Sequence, residues 1–413
     1  MNAVGNETAP SPKVGRIAFV HDHRFVCTEG FVGSHAQFES ALWDRYLRFC
    51  DRLTVVGREG ESDDPSELYV SSHPDVDFLL LEDRGRGVGR LMQGKAVADT
   101  FRKIVAEHDA IVARIPSMFG FYAIEEARRQ GKPCAIEAVG CPWDALTSYG
   151  SLAGRIYAPI QFAQMRKAVG KADHVIYVTE RFLQDRYPTR ANNTAIASNV
   201  ELTPFDPAAE NALDPEVLDR RLAKIAGFDP SRELRIGLVG TLRGRTKGIQ
   251  HALIALRDLL AEYPMATLHV LGGGDRAPWQ AEAASLGLTD KAVFHGTLPS
   301  GQPVLDWLDG MDIYIQPSLQ EGLPRALIEA MSRALPAIGS DRAGIPELLL
   351  DERIVPAAKP DALCSAIAEL VRDRATMEAD ARRNFAKASQ YTSDKLSERR
   401  RVFFENVLAD ARA

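Results

Sequence analysis

Cysteine is scarce in this chain. The five thiols, Cys27, Cys50, Cys134, Cys141 and Cys364, are odd in number and no two form a CxxC pair. That excludes a disulfide framework and fits the reduced thiols of a cytoplasm. An excess of basic charge is also missing. Fifty Lys and Arg against 56 Asp and Glu give a net charge of −6, which excludes a dedicated nucleic-acid binder but not local basic patches. No run approaches the ~20 apolar residues that span a bilayer, so any membrane contact has to be peripheral. Residues 1–15 are polar and proline-containing, lack the apolar run of a signal peptide, and read as a disordered tail. No His or Cys cluster has metal-ligand spacing, and neither internal repeats nor low-complexity tracts occur. What remains is the composition of a soluble globular enzyme, 45% hydrophobic and 26% charged over 413 residues, enough for about two domains.

Short β-branched runs alternate with longer helical patterns, the mark of parallel sheets with crossover helices. Strands of one sheet are expected at 16–20, 53–57, 77–81, 110–114, 133–137 and 174–178. A second set runs through LRIGLVG at 234–240, TLHVLGG, AVFHG, DIYIQP and PAIGS at 336–340. Between the sets lies 201–233, acidic and proline-bearing, with a helix expected around 215–225.

The most informative segment is PSLQEGLPRALIEAMSRALPAIGSDRAGIP at 317–346. Glu321 and Glu329 flank seven residues, Gly322 follows the first acid, and Pro324 stands where a helix begins. The helix is expected over 324–333, ahead of Pro336. Free N–H groups at Leu323, Arg325 and Ala326 would then point out of a helix start, which attracts phosphate. A group bound there reaches both carboxylates. A sugar nucleotide, with hydroxyls at either end of a diphosphate, fits that arrangement.

This segment resembles the E-x7-E signature of retaining glycosyltransferases of family 4, which have the GT-B fold. The resemblance implies an α/β chain of two Rossmann-like domains, their parallel sheets facing across a cleft, with a C-terminal helix crossing back to the first domain. The expected division is a tail at 1–15, an acceptor-side domain at 16–205, a linker at 206–232, a nucleotide-sugar domain at 233–385 and the returning helix at 386–413. By the same resemblance Glu321 meets the transferred sugar and Glu329 the ribose hydroxyls, while Gly322, Leu323 and Pro324 lie at the diphosphate.

LVGTLRGRTKGIQHAL at 238–253 is the second signal: a strand ending at Gly240, a basic loop, then a helix. It resembles the family's diphosphate loop, in which Lys247 contacts the leaving group. Thr241 stands where the family commonly has Arg, so Arg243 or Arg245 reaches in instead. Gly273 in HVLGGGD and Thr297 in VFHGTLP resemble the turn under the nucleotide and the strand end that reads the base. In the first domain, Gly30 and Gly33 precede a helix expected near Ser34 and resemble the family's glycine loop, with His35 beside it. Many members carry a histidine after the fifth strand. Here AIEAVGCPWDAL has none, and Glu137, Gly140, Trp143 and Asp144 are the residues available.

Asp75-Val76-Asp77 is a DxD triplet, read as a surface turn, and no metal or cofactor is expected. Two cation-rich stretches, 84–104 and 154–172, suit a lipid-linked acceptor at an anionic surface. Within the second, Phe162, Met165 and Val169 share one helical face, which belongs either to the core or to a membrane. The reading is a cytoplasmic enzyme, peripheral at the inner leaflet, that takes Glu321, Lys247 and Arg243 as catalytic. It moves a hexosyl group from a nucleoside-diphosphate sugar to a saccharide or lipid-linked saccharide of a polysaccharide pathway. A nucleotide-sugar 2-epimerase or hydrolase on the same fold, and a non-catalytic sugar-nucleotide-binding scaffold, are the alternatives.

Overall fold

The computed structural model describes residues 13–412 apart from 36–37, 63, 66–67, 83–93, 149–151 and 206–212. The expected tail as far as residue 12, the start of the 84–104 basic stretch and the start of the linker fall outside the described residues; the last two residues of the expected tail, Val14 and Gly15, instead open the first strand. In the first half the strands are β1 (Val14–Cys27), β2 (Val32–Ser34), β3 (Cys50–Gly60), β4 (Tyr69–Val70), β5 (Val76–Leu81), β6 (Ala110–Ile115), β7 (Cys134–Ala138), β8 (His174–Tyr177) and β9 (Asn193–Ile196). They form one sheet, parallel in the order β5-β3-β1-β6-β7-β8-β9. Every residue of β6 and β8 is buried. Helices on both faces of the sheet require such continuous apolar runs.

The end of β1 departs from expectation. A helix near Ser34 does not form. Thr28 closes a turn, its hydroxyl donating to the Phe31 carbonyl (2.8 Å) and accepting from the Phe31 amide (3.1 Å). β2 then runs back antiparallel to β1, and β4 pairs antiparallel to β2. Gly33 lies within this added edge, against the side chains of Leu68 and Phe31.

The second sheet is β10 (Leu234–Val239), β11 (Ala266–Leu271), β12 (Ala292–Gly296), β13 (Ile313–Gln316), β14 (Ala337–Ser340) and β15 (Ile354–Val355). Its order is β12-β11-β10-β13-β14-β15, all parallel. The chain order reverses between β10 and β13. In an open parallel sheet the loops after two such strands part to opposite faces and leave a crevice at their carboxyl ends. The helix Pro215–Ala226, capped by Asp214, belongs to this half: buried Arg221 donates to the Met311 carbonyl at 2.6 Å.

The helix expected over 386–413 starts later: the helix Arg374–Ala388 ends inside that stretch, the turn Ser389–Tyr391 follows, and the last helix is Ser393–Arg412. The helix before the turn packs on the second domain. The last crosses back to the first, burying Phe403 and Phe404. Phe404 meets the rings of Tyr46 and Phe49 at 5.9 and 5.2 Å, and Asn193 donates to the Phe403 carbonyl at 2.9 Å. A second tie crosses the domains where Glu347 accepts from the amides of Glu180, Arg181 and Phe182 at 2.5, 3.1 and 2.5 Å.

Candidate active site

The crevice between β10 and β13 gathers the charged residues of the two marked loops. After β10 the chain makes a loop from Gly240 to Gly248 and enters the helix Ile249–Leu259. Gly248 has φ 74°, and a Cβ there would stand 2.0 Å from the Pro317 carbonyl oxygen, so only glycine lets this loop press against the end of β13. Leu319 donates to the Thr246 carbonyl at 2.7 Å and fastens the two loops together. Lys247, one residue earlier, lies across Gly240 and places its ammonium 2.6 Å from Glu321 Oε1.

Glu321 is held with unusual bias. Ser318 Oγ donates to Oε1 at 2.7 Å and Gln316 Nε2 at 3.1 Å, so three donors converge on one oxygen. Among the described residues Oε2 has no recorded partner and remains available to a hydroxyl. The donors are themselves anchored: Gln316 accepts from the Tyr314 hydroxyl at 2.7 Å and donates to Ser318 at 2.8 Å. Burial, and after it the charges of Glu321 and Glu329, hold the Tyr314 phenol well above its ordinary value, so it stays a neutral donor to Gln316. Gln316 and Ser318 escaped the reading of the sequence. Polar residues at the end of a wholly buried strand were the available signal, since such groups need partners.

The second carboxylate rides on the helix Arg325–Ser332, one residue shorter at its start than expected, with Pro324 as the cap. No side chain caps this start, which leaves its first amides open to an anion. Glu329 is half-buried on the fifth position. Burial raises its carboxyl above the usual range, opposed by the charge of Arg325 one turn earlier. The Glu329 backbone carbonyl accepts from Ser332 Oγ at 2.6 Å, but among the described residues its carboxylate accepts no hydrogen bond. Gly322, between the two acids, faces the other domain: a Cβ would lie 2.5 Å from the Val139 carbonyl oxygen, so the loop after β7 and the start of the glutamate segment touch directly.

The remaining loops close the floor. Leu242 donates to the Gly273 carbonyl at 2.8 Å and Thr241 Oγ1 to the same oxygen at 3.3 Å. The side chain of Thr297 stands beside Gly273. Thr241 also accepts from the Arg243 amide at 3.2 Å, so it shapes the loop that carries the cations. Arg245 is drawn elsewhere. It makes a bidentate pair with Glu282 at 3.0 and 2.8 Å and lies 5.2 Å from the Trp279 ring centre. Arg245→Ala is therefore expected to leave nucleotide affinity unchanged and to cost about 1 kcal/mol of stability or less, whereas Arg243→Ala weakens donor binding. Calorimetry with a nucleoside diphosphate and thermal melts of both variants check this, and equal affinity losses would return Arg245 to the site.

On the facing domain, Glu137 is turned into the interior. Its carboxylate accepts from Arg114 Nε and the Tyr46 hydroxyl, both at 2.8 Å, in a buried cluster. Asp144 pairs with Arg186 at 2.9 Å, and Arg186 also reaches the Cys141 sulfur at 3.2 Å. His21 and His23, passed over in the sequence, stack on Phe38, and burial together with His21 lowers His23 to about 4. Exposed His35 follows β2. Asp75 and Asp77 lie 3.9 and 2.6 Å from Arg52.

Three comparisons bear on this geometry. Residues 233–373 match the family model described as "Glycosyl transferases group 1". The chain is 26% identical over 308 residues to "Protein CapJ" of Staphylococcus aureus, 74% of each chain. It is 32% identical over 158 residues to "Putative colanic acid biosynthesis glycosyltransferase WcaL" of Salmonella typhimurium, 35% of this chain and 38% of the relative. In three dimensions it superposes on Anabaena HepE solved with UDP-glucose, with a TM-score of 0.61 at 17% identity, covering 95% of this chain and 99% of that one. The shared fold is GT-B.

Proposed function

We propose that this chain, whose residues 233–373 match the group 1 glycosyltransferase model on a GT-B frame, is a glycosyltransferase that transfers a hexosyl group from a nucleoside-diphosphate sugar with retention of configuration. The acceptor in this reading is a hydroxyl of a lipid-linked saccharide in polysaccharide assembly. The observation that carries the proposal is the single-sided grip on Glu321: its Oε1 is saturated by Lys247, Gln316 and Ser318, beside an uncapped helix start. Oε2 then accepts from a hydroxyl of the bound sugar. The diphosphate lies between Lys247 and the amides after Pro324. Glu329 accepts from the ribose.

In the transfer step the bond from the sugar's anomeric carbon to the diphosphate oxygen breaks, and a bond to the acceptor oxygen forms on the same face. The acceptor proton passes to the departing phosphate. Negative charge grows on the diphosphate as the bond stretches, and the ammonium and helix amides already aimed there stabilise it. The name of WcaL places that relative in colanic acid biosynthesis, and this supports the acceptor class by analogy. A thermal-shift screen with nucleoside diphosphates and their sugars identifies the donor, since ligand at ~100 times its Kd adds about 2.7 kcal/mol. Turnover assays with and without a lipid-linked saccharide then test the reaction. Sugar release or epimerisation that needs no acceptor would replace transfer by the hydrolase or epimerase reading. Tight binding with no turnover would leave a scaffold.

We also infer that the transfer runs without a divalent metal. Lys247 and the helix start supply the positive charge, and no group of three metal-ligating side chains occurs among the described residues. Activity is expected to be unchanged by EDTA. Its abolition, with recovery on adding Mn²⁺ or Mg²⁺, would overturn this.

A further inference from the structure

The helix Leu152–Gly170 has two apolar faces, and among the described residues only one of them is buried. Ala158, Met165 and Val169 turn inward and are buried, with Phe162 half-buried beside them. This settles the stripe of Phe162, Met165 and Val169 as core. The opposite face is apolar as well. Leu152, Ile156 and Ile160, spaced four residues apart, are 77%, 71% and 55% exposed. Successive steps of four residues advance only ~40° around a helix, so the three form a continuous ridge. Exposed Ala163 extends it and exposed Lys167 ends it. A helix that is apolar on both faces belongs inside a core or against a second apolar phase.

The charge around the ridge names that phase. From 152 to 172 the sequence contains no acid, while Arg155, Arg166, Lys167 and Lys171 are all exposed. A protein partner with a like-signed or mixed surface gains little from such a collar. An anionic lipid surface complements the helix: acyl chains meet the ridge and headgroups meet the cations, Glu125 beside Lys167 being the acid on the neighbouring helix. We propose that this helix is an interfacial membrane helix, seated on the anionic leaflet with Leu152, Ile156 and Ile160 among the acyl chains. The inference goes beyond the transfer reaction, because it requires neither donor nor acceptor and stands or falls separately.

Vesicles without any acceptor test it. The full chain is sedimented with phosphatidylcholine vesicles, with and without phosphatidylglycerol, at low and high salt. Binding is expected only with phosphatidylglycerol and is expected to fade as salt rises. Ile156→Ser combined with Ile160→Ser removes two ridge residues that no core contact needs, so its melting curve is expected to match the parent. Its vesicle affinity should fall about tenfold or more for each residue replaced. A parent that does not sediment with anionic vesicles overturns the proposal, as does a double variant that binds them equally. Sedimentation velocity covers the remaining occupant: a dimer in the parent that dissociates in the double variant would assign the ridge to a second copy of the chain and overturn the membrane assignment.

Discussion

Lys247→Ala is expected to lower kcat by about 10²–10³-fold, the loss seen when one preorganised charge-stabilising group is removed from an active site. Binding of the intact donor should change far less. In the free protein Lys247 is already paired with Glu321 at 2.6 Å. Engaging the diphosphate therefore exchanges one ionic partner for another, and much of the ground-state attraction is offset. The exchange becomes favourable as the leaving diphosphate gains charge, which is the condition for an interaction that accelerates the chemistry rather than the binding. The variant should stay folded, because Glu321 keeps its bonds to Ser318 and Gln316. Steady-state kinetics and calorimetry on the same preparation separate the two effects. A donor affinity that falls in parallel with kcat would make Lys247 a binding residue only. Unchanged values of both would remove the loop after β10 from the reaction.

Sequence and structure part company at identifiable places. The buried parallel strands were legible because burial on two faces writes itself as an unbroken apolar run, as in IVARI before Pro116 and IGLV before Gly240. The glutamate segment was legible because a glycine, a proline and two acids at fixed spacing each have a local backbone consequence. The edge of the first sheet was not. β2 is three residues long and holds its place through pairing with Val26 and Cys27 and with Tyr69 and Val70, contacts that no local propensity encodes. The direction of a loop cation was equally hidden. Arg243 and Arg245 look alike in the sequence, and Glu282, which claims Arg245, is 37 residues away. The pairing of Lys247 with Glu321 spans 74 residues and depends on the reversal of strand order between β10 and β13. The second apolar face of the helix Leu152–Gly170 was masked by the first: periodicity finds one stripe, and the stripe it found was the core.

Glu329→Ala is expected to weaken binding of the preferred nucleoside diphosphate about ten- to hundredfold, the loss of a charge-assisted hydrogen bond of ~1.5–3 kcal/mol. Stability should move the other way or not at all. Burial holds the Glu329 carboxyl above its usual range, and among the described residues it makes no recorded hydrogen bond, so the free protein carries an incompletely compensated acid. Removing such a group relieves a cost that the ligand otherwise offsets. The raised pKa also gives a pH signature. A ribose hydroxyl donates to the carboxylate, so affinity is full above the Glu329 pKa and is lost as pH falls through it. Because that pKa is raised, the loss begins at a higher pH than an ordinary glutamate would give. Glu329→Gln should abolish the acid limb while retaining part of the affinity, since its amide still offers an acceptor oxygen. Isothermal titration of the parent and both variants across the acid range provides the check. An Ala variant with unchanged affinity, or a Gln variant that keeps the acid limb, would mean that Glu329 does not hold the ribose and that its charge is buried for some other purpose.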